Sequence, residues 1–492
     1  MELQSILGYL CNKTILITGA TGLLGMVFVE KILRVQPDVK KLYLLVRPSH
    51  DKSATQRVNE EIIGKELFKI LKEKWGTDFD YFVSQKVVAL SGDVSSENLG
   101  LNKVILEQVC SETQIIINSA ANTNFDERYD ISLGINTFGV SHMLNVTNKC
   151  SKLEMFLHVS TVYVCGERTG IILEDFSSME EMVNDSTKFD FEVLESNLVK
   201  EKLNELRTQN AVEEVITNTM KNFGIERAKF YGWPNTYVFT KAMGELLLKH
   251  YSNKNIPFVI IRPPIITSTY MEPFPGWIQG YRTVDSVIAS YAKGKLTFLP
   301  LDPMTISDMM PVDIVVNSII AAMVVNAKKT SGTIYHVGSS LRNSIKFMDV
   351  RNFMFQYFTK YPWVYKDGKP IKVRLLTIFK TMATFLIYMK ICYMLPLKGL
   401  EVVNKLSYEY FQDVYDKNHQ KLGLVMRMAE LYRPYLLFKG IFDDTNTEKL
   451  RMLTKECFVD AESFKFDPTC IDWEDYFMHT HIPGFLKHVM MK

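Results

Sequence analysis

Cysteine is scarce and unpatterned: there are seven in 492 residues, an odd number with neither CxxC nor metal-ligand spacing. That excludes a disulfide framework and points to a reducing, intracellular compartment. Charge of one sign is missing as well. Lys plus Arg number 57 and Asp plus Glu 55, a net of +2, so no global field recruits nucleic acid. No basic cluster with interleaved aromatics replaces it. No uncharged apolar run reaches the length of a spanning helix, about 18 residues. The nearest candidate, 373–397, is interrupted by Lys380 and Lys390. The opening MELQSILGYLCNKTILITGATGLLG lacks a basic n-region, a small-residue cleavage site and an Arg/Ser-rich segment, so neither a signal nor a plastid transit peptide is expected. His479 and His481 in MHTHIPG have no third ligand at suitable spacing, so no metal site is expected. With 47% apolar and 23% charged residues, wholesale disorder and a polytopic membrane protein are excluded too. The length suits two to four domains.

What is present alternates. Short β-branched or aliphatic runs, TILIT (14–18), KLYLLV (41–46), KVVALS (86–91), QIIIN (114–118), MFLHVS (155–160) and PFVIIR (257–262), have the look of strands buried on both faces. Helical patterns at 22–35, 54–74 and 129–150 separate them. The fold class is therefore α/β, a doubly wound parallel Rossmann-type sheet with its ligand at the carboxyl ends of the strands. A helix over 312–327 and a strand-like IYHVG (334–338) close this larger domain, residues 1–370. A charged stretch, about 168–232, is expected as a helical insert. From 371 to 492 the chain turns aromatic and Met-rich without strand alternation, and a smaller, mostly helical domain is expected there. In it, Thr445–Glu448 is a TxxE capping box for a helix over 446–457.

TGATGLLG (18–25) follows the first strand directly and opens a helix, the context that a dinucleotide turn requires. Gly19 permits the tight turn, Gly22 lets backbone approach a pyrophosphate, and Gly25 lets helix pack on strand. Free amides at the helix N-terminus face the anion. Arg47 ends the second strand, where an acidic residue meets a free ribose 2′-hydroxyl; a guanidinium favours the 2′-phosphate of NADPH instead, or is a solvated strand-end charge. Asp93 either accepts from the adenine amine or caps the element that follows.

Tyr237 and Lys241 lie four apart on a helical pattern and share one face. A neighbouring ammonium favours phenolate and lowers the Tyr pKa, making the phenol a usable general acid; an ordinary i,i+4 surface pair has the same spacing. Thr161 presents its hydroxyl at the carboxyl edge of the fifth strand. Ser160 is expected on the opposite face, so that only one of the two serves. Asn136, in mid-helix, either holds a water beside Lys241 or is a satisfied core amide.

TGATGLLG, NSAANTNF, INTFG, VSTVYV, YVFTK and IIRPPII, in this order, resemble the extended short-chain dehydrogenase/reductases. FDERYD, GWPNTYVFTK, EPFPGWIQG, GIFDDTNTEKL and FDPTCIDWEDYF resemble, more narrowly, the plant-type alcohol-forming fatty acyl-CoA reductases, essentially from Lys13 to the C-terminus. The resemblance implies four-electron reduction of a long-chain acyl-CoA by NADPH to a primary alcohol for wax, cutin or suberin-type lipids. It gives Tyr237 as proton donor, Lys241 as its tuner and ribose ligand, Thr161 as carbonyl-orienting hydroxyl and Asn136 as fourth member. Its cofactor-lining set is Gly19, Thr21, Gly22, Leu23, Leu24 and Gly25 in the turn, Arg47, Asp93, Val94, Ala120 and Pro264 at strand ends, with Tyr237 and Lys241. An aldehyde held during cofactor exchange calls for an apolar channel opening separately from the cofactor cleft. Alternatives are a two-electron relative that releases aldehyde, another extended reductase or epimerase, and a non-catalytic lipid-binding scaffold. Thr161 and Tyr237 are 76 residues apart, far beyond an ordinary βα connection of about 2–6. The intervening insert either covers the thioester, with Lys200, Lys202 and Arg207 meeting CoA phosphates, or is a solvated helix face. Segment 373–397 is a membrane-interface helix with snorkelling lysines or a buried inter-domain helix; the former favours the cytosolic face of the endoplasmic reticulum, the latter a soluble cytoplasmic protein. Oligomeric state and acyl length are left open.

Overall fold

The computed structural model describes residues 4–180, 191–251, 256–330, 332–365 and 368–491. The apolar runs form one parallel sheet: β1 (Thr14–Thr18), β2 (Lys41–Val46), β3 (Val87–Ser91), β4 (Ile115–Asn118), β5 (Met155–Val159), β6 (Phe258–Arg262) and β7 (Thr333–His336). Their spatial order is β7-β6-β5-β4-β1-β2-β3. Every residue of β1, β4, β5 and β6 is buried, which is why these runs carry no apolar/polar alternation. Strand order reverses between β1 and β4, and a crevice opens outside their carboxyl ends. Register sets Thr18 beside Asn118 and Asn118 beside His158 across that edge.

Helix Val312–Val325 is apolar apart from Asp313, Asn317 and Ser318 and is buried along nearly its whole length. It packs between helix Leu23–Val35 and helix Thr445–Cys457, the environment that such a sequence needs. Phe464, Tyr476, Phe477 and Phe485 join the same core. C-terminal residues thus complete the packing of one face of the sheet.

The insert departs from expectation at its start. Thr169–Ile172 is a strand that pairs in parallel with Lys439–Phe442, and Thr377–Phe379 pairs with Phe298–Pro300. The C-terminal region is therefore not strand-free: two short ribbons tie it to the rest. Beyond residues 181–190, which lie outside the described residues, the insert is helical, Phe191–Thr208 and Glu213–Phe230. These helices pack on Tyr129, Trp233 and Phe239. Inside them the buried Glu195 pairs with Arg227 and accepts from Tyr129 Oη at 2.7 Å.

The expected capping box at 445–448 does not form. Helix Thr445–Cys457 starts one residue earlier, and Glu448 turns to Arg342 and Arg451. Its free amides are met by Glu174, which accepts from the backbone of Asn446 and Thr447 and from Thr447 Oγ1. A carboxylate at a helix N-terminus is favourable, but burial is the larger effect here and pushes Glu174 up to about 7.

Segment 373–397 is not a single helix, and its apolar side chains are divided between core and surface. Leu376, Phe385 and Met389 are buried, whereas Leu386, Ile387, Ile391, Tyr393 and Leu395 are exposed. It comprises the short strand Thr377–Phe379, helix Met382–Met389 and a π turn, Lys390–Met394.

Candidate active site

The glycine turn is built as its chemistry requires. Gly19 has φ +74°, and a Cβ there would stand 2.7 Å from the Ala120 nitrogen; a Cβ on Gly25 would stand 2.4 Å from the Gly19 oxygen. Any side chain at either position collides with backbone. Helix Leu23–Val35 begins directly after, with Gly22 as an N-cap that makes no side-chain hydrogen bond, so its first amides face the crevice.

A cavity of about 720 Å³ runs from this turn across the strand ends. Gly19, Thr21, Gly22, Leu23, Leu24 and Gly25 line it, as do Arg47, Asp93, Val94, Ala120 and Pro264, and so do Thr161, Tyr237 and Lys241. Asp93 is used as a local cap: its Oδ1 accepts from the Ser95 amide and hydroxyl, both at 2.9 Å. Its Oδ2 lies 3.7 Å from the Arg47 guanidinium. A second cation, Arg57, lines the same end and donates to the Arg47 carbonyl at 2.6 Å.

Two expectations about the reacting groups need correction, those for Asn136 and Lys241. Ser160 adjoins Thr161 at the cavity, and its hydroxyl is buried without a hydrogen-bond partner. Asn136 does not reach Lys241. It sits in a π turn, Gly134–Phe138, and is fully satisfied: Oδ1 accepts from Asn122 N at 2.9 Å, and Nδ2 donates to Asn122 O and Thr240 Oγ1, both at 3.0 Å. It clamps the β4 loop to helix Thr236–Tyr251 and is a positioning residue. Nor does Lys241 lower Tyr237. Lys241 Nζ donates to the Val159 carbonyl at 2.6 Å, and burial raises Tyr237 above its ordinary value. Tyr237 is thus a neutral phenol, the form a proton donor needs. Lys241, buried itself, is lowered to about 8.

The far wall is aromatic and comes mostly from the C-terminal region. Phe125 stacks on Tyr237 (centroids 5.6 Å apart) and on Tyr435 (5.0 Å), and Tyr163 meets Tyr435 edge-on at 4.9 Å. Asn235 fixes Tyr435 through a 2.8 Å hydrogen bond to its hydroxyl. Met428, Leu431, Tyr432 and Tyr435 line the cavity from helix Gln412–Leu436, a stripe at i, i+3, i+4 and i+7. Arg427 docks this helix on Asp126 at 2.5 Å, and Arg433 docks it on Glu167 at 3.1 Å. The apolar wall opens onto the same cavity as the glycine turn.

Lys200, Lys202 and Arg207 do not line this cavity. Lys202 pairs locally with Glu205 at 2.7 Å, so the solvated-face reading holds for it. Among the described residues no group of His, Cys, Asp and Glu could hold a metal. His479 pairs with exposed Asp475, and His481 is buried against Asp285 at 3.1 Å.

Two family models, both described as male sterility protein, match the chain: an NAD-binding one over residues 17–319 and a second over 392–492. An alcohol-forming fatty acyl-CoA reductase of Simmondsia chinensis is 49% identical over 99% of each chain. The chain belongs to the fatty acyl-CoA reductase family. Fatty acyl-CoA reductase 1 of Arabidopsis thaliana is 49% identical over 98% of both chains, and Fatty acyl-CoA reductase 2 of Homo sapiens is 29% identical over 99% of this chain and 87% of its own. In fold, this reductase is similar to the terminal R domain of the myxalamid PKS-NRPS pathway (TM-score 0.56, 17% identity, 97% and 91% of the two chains). It is also similar to the reductase domain of a Mycobacterium tuberculosis non-ribosomal peptide synthetase (TM-score 0.55, 17% identity, 99% and 95%). A nicotinamide cofactor fits the reductase through the glycine turn, whose cradle any Cβ would fill.

Proposed function

We propose that this chain reduces long-chain acyl-CoA to primary alcohol with NADPH, keeping the aldehyde bound between two two-electron steps. In this reading residues 1–370 form the reductase domain and 371–492 the domain that walls the acyl end. The observation that carries the reading is one continuous cavity joining the dinucleotide turn, the hydroxyl set and an aromatic wall. A scaffold without chemistry has no use for a neutral phenol and a buried lysine at that junction.

Bound nicotinamide supplies hydride to the carbonyl carbon. Thr161 donates a hydrogen bond to the carbonyl oxygen as charge develops there. Tyr237 then gives that oxygen its proton and is reprotonated before the second reduction. Lys241, as ammonium, would hold the ribose of the cofactor. Phe125, Tyr432 and Tyr435 exclude water and hold the acyl chain near the thioester. The sum is acyl-CoA plus two NADPH plus two protons giving alcohol, CoA and two NADP⁺.

Preference for the 2′-phosphate is supported by Arg47, which follows β2, and Arg57 of the next helix, which line the same end of the cavity. Purified protein with a series of saturated acyl-CoAs is expected to consume two NADPH per alcohol released; aldehyde as the only product would favour the two-electron reading. In the same assay, Arg47→Ala with Arg57→Ala is expected to cut kcat/KM for NADPH at least tenfold, each charged hydrogen bond contributing about 1.5–3 kcal/mol, and to leave NADH unchanged. An equal loss with both cofactors would overturn the assignment.

The exposed apolar face extends past 397. Val402, Val403, Leu406, Tyr408 and Tyr410 are exposed, Tyr408 by 97%, and helix Leu395–Leu406 carries Lys398 and Lys405 beside them. No helix among the described residues is long and apolar enough to cross a membrane. Interfacial binding at the cytosolic face of the endoplasmic reticulum, where an insoluble alcohol partitions, fits this surface. The protein is expected to float with phosphatidylcholine/phosphatidylserine liposomes. Leu406→Glu, Tyr408→Glu and Tyr410→Glu together are expected to lower the bound fraction by at least about tenfold, since each anchor contributes about 1.5–3 kcal/mol. Equal flotation of this variant would remove the surface from consideration.

A further inference from the structure

Under the site, a line of buried side chains connects the dinucleotide turn to Lys241. The Ala120 amide donates to Thr18 Oγ1 at 3.1 Å, and Thr18 Oγ1 donates to Asn118 Oδ1 at 2.8 Å. Asn118 Nδ2 stands 3.1 Å from His158 Nδ1, and His158 Nε2 stands 3.4 Å from Lys241 Nζ. Thr18, Asn118, His158 and Lys241 are all buried, and they come from β1, β4, β5 and helix Thr236–Tyr251.

Direction along this line is set by its head. A backbone amide can only donate, so Thr18 receives there and gives its single proton to the Asn118 oxygen. With that oxygen occupied, Asn118 presents its NH₂ to His158, and Nδ1 must accept. Burial keeps His158 neutral, so its one proton sits on Nε2 and faces Lys241. An ammonium has no lone pair to receive that N–H; a neutral amine has one.

We propose that Thr18, Asn118 and His158 form a tautomer lock that biases Lys241 toward the neutral amine, with His158 as a positioning residue for it. The lock lets go when Lys241 turns from Val159 and His158 toward bound dinucleotide and takes up a proton. The inference rests on the reductase reading above. The charges that bear on Lys241 are few: Glu245 one turn on, itself bound to Arg262 of β6, favours its ammonium, and Lys241 is the charge that bears on His158. Tyr237, one turn earlier, is a neutral phenol, and His336 from β7 meets Arg262 and not Lys241.

Activity that needs the Lys241 ammonium falls as pH rises through its pKa, giving the alkaline limb of kcat/KM. Two substitutions undo the lock differently. His158→Gln offers an amide oxygen that can accept from the ammonium. Asn118→Asp offers a carboxylate that accepts from Nδ1–H, so that the one ring proton sits on Nδ1 and Nε2 becomes an acceptor, while His158 is kept. Both are expected to move the alkaline limb upward by about one pH unit or more, a tenfold gain in proton affinity. The pH dependence of NADPH binding, followed by cofactor fluorescence, is expected to move with it. Folded variants whose limb and binding profile stay in place, or move down, overturn the proposal. If His158→Gln fails to fold, Asn118→Asp decides. If neither folds, Thr18→Val, nearly isosteric and lacking the donor at the head, decides by the same shift. A wild-type protein that binds NADPH but reduces no acyl-CoA would instead strike the reductase reading, and the binding profile alone would still test the lock.

Discussion

Replacing Tyr237 by phenylalanine is expected to lower kcat for alcohol formation by about a thousandfold, within the range for losing a positioned general acid, while NADPH affinity and thermal stability stay close to wild type. The ring keeps its stack on Phe125, and no hydrogen bond of the hydroxyl is made among the described residues, so the variant loses the proton and little else. Stopped assays scoring alcohol and aldehyde separately, with cofactor binding by fluorescence, check this. Thr161→Val is expected to cost about a hundredfold, as for one oxyanion donor. A Tyr237→Phe enzyme with full activity would move the acid elsewhere.

The largest effect on stability is expected at Glu245. It is fully buried and grips Arg262 with two oxygens, at 2.6 Å from Nη2 and 3.0 Å from Nε, and Arg262 Nη1 meets His336 at 3.1 Å. Glu245→Leu leaves a guanidinium stranded in the core, a loss of about 3–5 kcal/mol, read as a lowered urea midpoint. Glu245→Leu with Arg262→Met is expected to recover most of it, since an apolar pair of similar volume replaces a desolvated ionic one. Unequal destabilisation is the point of the measurement: a double variant as weak as the single would mean that the core needs the charges themselves. The single variant also removes the one charge that favours the Lys241 ammonium, so its alkaline activity limb is expected to move down.

The parallel sheet was legible because a strand buried on both faces leaves an unmistakable run, and TILIT, QIIIN and PFVIIR are such runs. The glycine turn was legible because backbone collision forbids side chains at Gly19 and Gly25. The two three- or four-residue ribbons were not, since 169–172 meets 439–442 only through tertiary structure and four residues carry too little pattern. The same holds for the cap on helix Thr445–Cys457. TxxE is a local signal, and Glu174 displaced it from 272 residues away. Met428, Leu431, Tyr432 and Tyr435 were visible as a helical stripe, but nothing local says that their face closes an active site and not a core. The insert misled in the other direction. Its lysines are conspicuous in sequence, yet its buried work is done by Glu195, which holds Tyr129 and Arg227.

Ribosomal synthesis gives the ribbon between Thr169–Ile172 and Lys439–Phe442 a temporal meaning. The glycine turn, Thr161, Tyr237 and Lys241 have all emerged long before the partner strand is translated. Until then Glu174 has no helix to cap, and Tyr432 and Tyr435 are absent from the cleft. The nascent chain therefore passes through an interval in which a dinucleotide site exists beside an unwalled, greasy opening. Occupancy of that site by cofactor would stabilise, by mass action, a sheet whose strands have all emerged but whose C-terminal packing is still being threaded out.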